Sequence, residues 1–297
     1  MTVSSLDPKL HRSYLYAPGS SERVMRKALA TAADVVILDL EDAVAPSAKI
    51  TARAAVAALL DECAADRSGT LPQIHVRVNR AGVGYCKEDL EAAVRPGLVG
   101  IRLPKAETAD AIREVEQVLG ELATSRHLDP GGIELTPTIE SALGAVSIPS
   151  IARSSPRVAR LAIGASDLLA DIGAVGDDDL ATLHVRSELV LHSRAAGLTP
   201  PVDGAYTNLE DEAGLEHAAR RARALGFYGK SVIHPRQLST VHSVFSPSDA
   251  ELERAERIVA AADAGHAVGS GALTNDDGFI DSAVVARARS LLALRSP

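Results

Sequence analysis

Eight short apolar runs, at 13–17, 35–40, 74–78, 100–103, 134–139, 160–164, 201–205 and 230–233, constrain this chain more than any other feature. Several are continuous, as in Val35-Val36-Ile37-Leu38, with no polar residue on either face. A strand buried on both faces needs that pattern, and such strands belong to parallel sheets covered by helices. The run at 201–205 is the weakest, because Pro200 and Pro201 precede it and Gly204 lies within it.

Helical patterns separate the runs. Residues 21–31 open on a Ser/Glu start and hold Val24, Ala28 and Leu29 on one face. Residues 47–63 are Ala-rich and helix-favouring. Residues 107–122 set Ile112, Val115, Val118, Leu119 and Leu122 at helical spacing. Helices over 141–152, 178–195 and 209–225 follow, then a short turn from Arg236. Gly197 and Gly226 stand just past two of these segments, where a left-handed residue closes the last turn. Eightfold strand–helix alternation predicts an α/β fold of the (β/α)8 TIM-barrel type over 1–245. The rival is a doubly wound open sheet, but Ala17-Pro18-Gly19-Ser20 lacks the Gly-x-Gly-x-x-Gly turn of a dinucleotide site. Residues 246–297 read as a C-terminal helical extension: a helix from Ser246 to about Ala262, a Gly-rich stretch from Gly265 to Gly271, Asp276-Asp277-Gly278-Phe279-Ile280-Asp281, and a last helix to Leu294. The extension is either a lid or arm reaching a neighbouring subunit, or an ordinary helix capping the barrel.

Composition narrows the function classes. With 297 residues, 46% of them hydrophobic, the chain can bury one large core. A net charge of -8, no dominant basic run and no Trp argue against a nucleic-acid partner. No run approaches the ~20 apolar residues of a membrane span. Residues 1–12 are polar, contain Pro8 and lack a signal-peptide core. Cys63 and Cys86 have no metal-type spacing and cannot make a disulfide framework. The expectation is a soluble, cytoplasmic protein with no membrane partner.

The chemistry gathers where the runs end. Glu140 and Asp167 follow the fifth and sixth runs, and adjacent strands of a barrel lie only ~4.8 Å apart. Two carboxylates so close repel unless a cation sits between them; the alternative is that one of them caps the helix that follows, although Ser141 can cap in place of Glu140. Hard oxygen ligands without a His or Cys cluster point to magnesium, completed by water. Arg77 ends the third run, where an arginine is costly unless it meets an anion. That anion is a substrate carboxylate, or Asp39 or Asp42 in a structural bridge, or both. Lys105 adds a cation, for charge stabilisation or as a desolvated Schiff-base lysine. Asp39, Glu41 and Asp42 are the densest acidic cluster, expected to support the groups that touch the ion and substrate. Nine histidines occur without a metal pair, and His234 reads as structural.

These motifs together resemble a known family. Arg12-Ser13, Ala17-Pro18-Gly19, Asp39-Leu40-Glu41-Asp42-Ala43-Val44, Lys49 with Ala52-Arg53, Arg77-Val78-Asn79, Leu103-Pro104-Lys105, Ile139-Glu140, Gly164-Ala165-Ser166-Asp167, Gly229-Lys230-Ser231-Val232-Ile233-His234-Pro235 and Phe245-Ser246-Pro247-Ser248 occur in order. The pattern is similar to the HpcH/HpaI aldolase–citrate lyase family, in its citrate lyase β-subunit-like and malyl-CoA lyase branch. The resemblance implies a TIM barrel with Mg2+ on Glu140 and Asp167, and Arg77 gripping the carboxylate of a 2-oxo acid. It implies a carbon–carbon lyase cleaving or forming a coenzyme A thioester such as malyl-, citramalyl- or citryl-CoA. It places the acid/base of the tail at Asp281, acting from an adjacent subunit, although Phe279 and Ile280 depart from the family's usual residues. Arg12, Ser20, Arg23 and Lys27 suit the phosphates of coenzyme A by charge, and Pro18 stands in the substrate-binding turn beside them. A homo-oligomer, trimer or dimer of trimers, is implied too. The alternatives are a malate-synthase-like or thioesterase activity on the same substrates, a metal-dependent aldolase on free hydroxy-oxo acids, and a non-catalytic lyase-complex subunit.

Overall fold

The computed structural model describes residues 11–66, 68–129, 131–175, 178–267, 273–275 and 278–295. Seven strands form one sheet: β1 (Ser13–Pro18), β2 (Val35–Asp39), β3 (Gln73–Arg77), β4 (Gly100–Leu103), β5 (Glu134–Ile139), β6 (Ala162–Ile163) and β7 (Lys230–Val232). They lie in the order β6-β5-β4-β3-β2-β1-β7, and every pairing is parallel. The sheet is curled, so its two faces differ. On β1 and β2 the inward Tyr14, Val35 and Ile37 meet Ala162 and Val202 in a small inner cluster. The alternate residues Leu15, Ala17, Val36 and Leu38 pack outward with helical Val56, Leu60 and Leu119 in the main core. Period-two alternation with both faces buried is why these runs are apolar throughout.

The expected strand over 201–205 is shortened to Val202 and Asp203, which make single parallel bridges to Ala162 and Lys230. Even so, the stretch spans from β6 to β7. Val202 donates its N–H to Leu161 at 2.9 Å, and Asp203 donates to Gly229 at 3.0 Å. Pro200 and Pro201 have no N–H to extend the ladder backward. Asp203 is fully buried against Lys230, 2.5 Å away, and Arg186.

The helices are α1 (Glu22–Leu29), α2 (Lys49–Ala65), α3 (Gly84–Ala93), α4 (Ala109–Ser125), α5 (Ala142–Val146), α6 (Ile148–Ile151), α7 (Ala165–Ile172), α8 (Asp178–Ala195), α9 (Glu212–Leu225) and α10 (Leu238–Phe245). Thr108 starts α4 by accepting the Ala111 N–H at 3.2 Å. Gly226, at φ 106, closes α9 in the left-handed conformation. The expected helix over 141–152 is broken into α5 and α6 at Ser147, just before Pro149. Helices α3 and α7 are additions to the sequence reading.

In the extension, α11 (Asp249–Ala267) is followed by an antiparallel pair, β8 (Leu273–Asn275) and β9 (Gly278–Ile280), and by α12 (Ser282–Leu292). Ser248 and Glu251 make a reciprocal cap at the start of α11. Gly265, expected to open the Gly-rich stretch, lies within α11, while 268–272 and Asp276-Asp277 fall outside the described residues. Ala255, Ile258, Ala262, Ile280 and Ala288 form a cluster of their own. Among the described residues no helix is long and apolar enough to cross a membrane.

Candidate active site

The parallel register brings Asp39, Arg77 and Arg102 level on three neighbouring strands. Asp39, 1% exposed, takes Arg77 in a fork: Nε donates to Oδ1 and NH2 to Oδ2, both at 2.7 Å. The same carboxylate accepts the N–H of Glu41 at 2.9 Å and of Ala43 at 3.2 Å, which shapes the loop after β2. Glu41 then bridges two cations, 3.0 Å from Arg77 NH1 and 2.6 Å from Lys105 Nζ. Asp42 stays 61% exposed, 3.8 Å from Lys105. The acids that orient Arg77 are therefore Asp39 and Glu41, and Asp42 is not one of them. Beneath this loop the Lys49 ammonium donates to the carbonyls of Leu40 at 2.5 Å and Glu41 at 2.8 Å. Burial works against the Arg77 charge, but Asp39 outweighs it and holds its pKa above the ordinary value. The Tyr16 ring lies 5.0 Å from the guanidinium.

Glu140 follows β5 and is 6% exposed. Ser141 caps α5 by accepting the Gly144 N–H at 3.1 Å, which leaves the Glu140 carboxylate to the cavity. Its Oε1 accepts the backbone N–H of Lys105 at 2.6 Å. Lys105 makes this bond from a left-handed backbone, φ 49, that a non-glycine residue seldom adopts. On the other side a Cβ at Gly164 would lie 2.1 Å from Glu140 Oε2, so the glycine opens the space that this oxygen fills. Burial pushes the Glu140 pKa up to about 7; Lys105 pulls it down, and the charges of Glu41 and Asp167 push it further up. Asp167 is exposed in the first turn of α7. It therefore sits on a helix and not at a strand end, but its charge acts on Glu140. One buried carboxylate facing a second is a donor set that fits a hard divalent cation. Among the described residues no group of three or more His, Cys, Asp or Glu side chains is placed to hold a metal. A two-carboxylate site would leave its other positions to water and substrate oxygens.

Asp39, Asp42, Arg77, Glu140, Asp167 and Pro18 are among the residues around a cavity of about 480 Å3 at the C-terminal edge of the sheet. Lys105 touches this site through Glu41 and its own amide. Burial lowers the Lys105 pKa, but Glu41 more than restores it. An ammonium kept charged suits charge stabilisation and not Schiff-base attack. Lys27 is exposed on α1, which leaves β1 on the cavity side. Arg12 is not brought to this edge. It precedes β1 at the opposite edge, 2.8 Å from Asp34 and 3.1 Å from Ser246. A second cavity, about 510 Å3, lies there, and its arginines Arg12 and Arg295 are spent on Asp34 and Glu256. Asp281 caps α12 by accepting the N–H groups of Ala283 and Val284 and does not line the cavity of its own chain. His234 accepts the Arg236 N–H at 3.2 Å in a structural turn. Arg102 is a further cavity residue, beyond those the sequence pattern points to. The signal was present, because an arginine inside the four-residue strand Gly100-Ile101-Arg102-Leu103 is as costly as Arg77.

A parallel α/β sheet with carboxylates and an arginine at the C-terminal edge of its strands carries its candidate site where α/β-barrel enzymes carry theirs. The chain belongs to the HpcH/HpaI aldolase/citrate lyase family, whose sequence profile matches residues 12–235. It is 33% identical over 287 residues to the citrate lyase subunit beta of Leuconostoc mesenteroides subsp. cremoris, covering 96% of this chain and 93% of the relative. It is 35% identical over 287 residues to a (3S)-malyl-CoA thioesterase of Cereibacter sphaeroides, covering 95% and 93%. Among solved structures, CitE from Mycobacterium tuberculosis in complex with magnesium, acetoacetate and coenzyme A aligns with a TM-score of 0.77 and 30% identity, over 97% of this chain and 99% of that one.

Proposed function

We propose that the chain is a magnesium-dependent carbon–carbon lyase that splits a 3-hydroxyacyl-CoA of the malyl, citramalyl or citryl type into an acyl-CoA and a 2-oxo acid. The observation that carries this reading is Glu140, a buried carboxylate with a pKa near 7, set beside Asp167 and near a guanidinium that Asp39 holds rigidly. On this reading the sheet completes a (β/α)8 barrel through Val202 and Asp203, residues 1–245 form the catalytic domain, and 246–297 form the extension.

When bound between Glu140 and Asp167, magnesium would acidify the substrate hydroxyl and polarise the carbonyl that replaces it. The rest falls to the residues of the chain. Arg77 has five N–H donors. Asp39 takes the edge made by Nε and NH2, and Glu41 meets NH1. The N–H groups that remain on NH1 and NH2 take the carboxylate next to the hydroxyl and hold it in one orientation. Glu41, fixed by Arg77 and Lys105, keeps both cations in place as charge moves. The hydroxyl gives its proton to a carboxylate, for which Asp281 of an adjacent subunit in its ionised form is the proposed base. The bond between the carbinol carbon and the thioester α-carbon breaks, and its electron pair forms a thioester enolate that takes the proton back from the same carboxyl, giving the acyl-CoA. Lys27 and Pro18 flank the route by which the coenzyme A arm leaves.

A thioesterase is the second reading, favoured by the 35% identity to the (3S)-malyl-CoA thioesterase. One experiment separates the two. The purified chain with magnesium is given malyl-, citramalyl- and citryl-CoA, and both released keto acid and free thiol are measured. A lyase gives keto acid without free thiol, whereas a thioesterase gives free thiol and the hydroxy acid. Neither product from any of the three substrates would sink the proposal.

A further inference from the structure

Below the carboxylates, the cavity ends on a cation that the mechanism does not use. Arg102 is 1% exposed, lines the cavity, and has no acidic partner among the described residues. Its NH2 donates to Ser231 Oγ at 3.3 Å, while Nε and NH1 have no hydrogen-bond partner. The hydroxyls of Thr136 and Thr138, also buried and on the neighbouring strand β5, are unpartnered as well. The contrast with Arg77 is direct. Arg77 faces two carboxylates, whereas among the described residues the side chain of Arg102 is hydrogen-bonded to a neutral hydroxyl alone. A buried cation without a counter-ion is strongly disfavoured, and an anion entering the cavity removes that cost.

The proposed substrate geometry says which anion this is. The carbinol carbon carries four groups. The hydroxyl and its adjacent carboxylate are committed to the Glu140–Asp167 side and to Arg77. The thioester arm is bulky and must point out of the open edge. The fourth substituent is therefore left facing the floor, where Arg102, Thr138 and Ser231 lie. It is a hydrogen in malyl-CoA, a methyl in citramalyl-CoA and a carboxymethyl in citryl-CoA. An apolar floor would suit the first two, and an unpaired guanidinium suits the third. We infer that Arg102 is a specificity-determining residue that pairs with a second carboxylate, so that the 2-oxo acid handled here is a dicarboxylic one.

This inference rests on the lyase reading of the same site, and its test keeps the two apart. The magnesium-loaded protein is titrated by calorimetry with pyruvate and with freshly prepared oxaloacetate, which differ by one carboxylate. Wild type should bind oxaloacetate at least about tenfold more tightly, the worth of one charge-assisted hydrogen-bonded pair. Arg102→Met should erase that preference while leaving pyruvate affinity within about twofold. Equal or better binding of pyruvate by wild type overturns the inference, whether or not the variant folds. So does an Arg102→Met protein that keeps the preference, or one that loses both acids in equal measure. If neither acid binds wild type, the lyase reading itself fails and the role of Arg102 falls with it.

Discussion

At Glu140, the protein sets a pH dependence that can be signed in advance. Burial raises this carboxyl from 4.5 to about 7. Between those two values the folded chain keeps a proton that the unfolded chain has lost, so metal-free stability falls as pH rises through that window, by about 3 kcal/mol in all. On the proposed function, magnesium held by this carboxylate would compete with the same proton. Its affinity should climb about tenfold per pH unit below about pH 7 and level off above it. Thermal midpoints with and without magnesium, across that range, check both slopes, and Glu140→Gln should flatten them. Gly164 supplies a second prediction. Its φ is -105, so alanine fits the backbone, but the added Cβ would meet Glu140 Oε2 at 2.1 Å and Glu140 Cβ at 2.7 Å. Gly164→Ala should leave the fold intact and weaken metal binding by about tenfold or more, as expected for overpacking of 1–3 kcal/mol. Unchanged affinity in a manganese titration would show that the glycine is not needed there. Arg77, Glu140 and Asp39 were legible as residues, because charge at the end of an apolar run is rare enough to stand out. Which of the neighbouring acids turned inward was not legible, since the loop after β2 is shaped by hydrogen bonds from Glu41 and Ala43 back to Asp39.

Among the elements, the continuous runs were read well, and the irregular ones were not. β2 and β5 stand where the apolar pattern puts them. The run over 160–164 shrinks to two residues, and that over 201–205 to two bridges. Helix α3 is not legible in the sequence because a charged residue occupies its buried face. Cys86, Asp89, Leu90 and Ala93 keep helical spacing, but Asp89 is 0% exposed. It is satisfied by Arg53 at 2.7 Å and by the Asn79 N–H at 2.8 Å, partners too distant in sequence to be anticipated. Asp203 is a similar case: it sits in the short stretch between β6 and β7, buried against Lys230 and Arg186. Removing it leaves two cations without their acid. Asp203→Ala should cost about 3–5 kcal/mol, read as a lower urea midpoint, and a midpoint equal to wild type would mean that this ion cluster is not holding the seam.

For the whole molecule, the position of the extension matters most. Arg12, Asp34 and Ser13 join Ser246 and His242 at the edge of the sheet opposite the cavity, with Ser13 Oγ 2.7 Å from His242 Nε2. The extension starts from that edge, and Asp281 is occupied as a helix cap in its own chain. If Asp281 is the acid, it serves the cleft of another copy. Mixing two inactive proteins, Asp281→Ala and Glu140→Ala, should then restore part of the activity, because some clefts would pair an intact Glu140 with an intact Asp281. No recovery after co-refolding would exclude that arrangement. Rooting a tail at the far rim carries a further consequence. If Asp281 does serve another copy, a molecule alone in dilute solution would own every part of the machine except the one that finishes the turnover, so specific activity would decline on dilution and the quantity of enzyme present would itself act as a throttle.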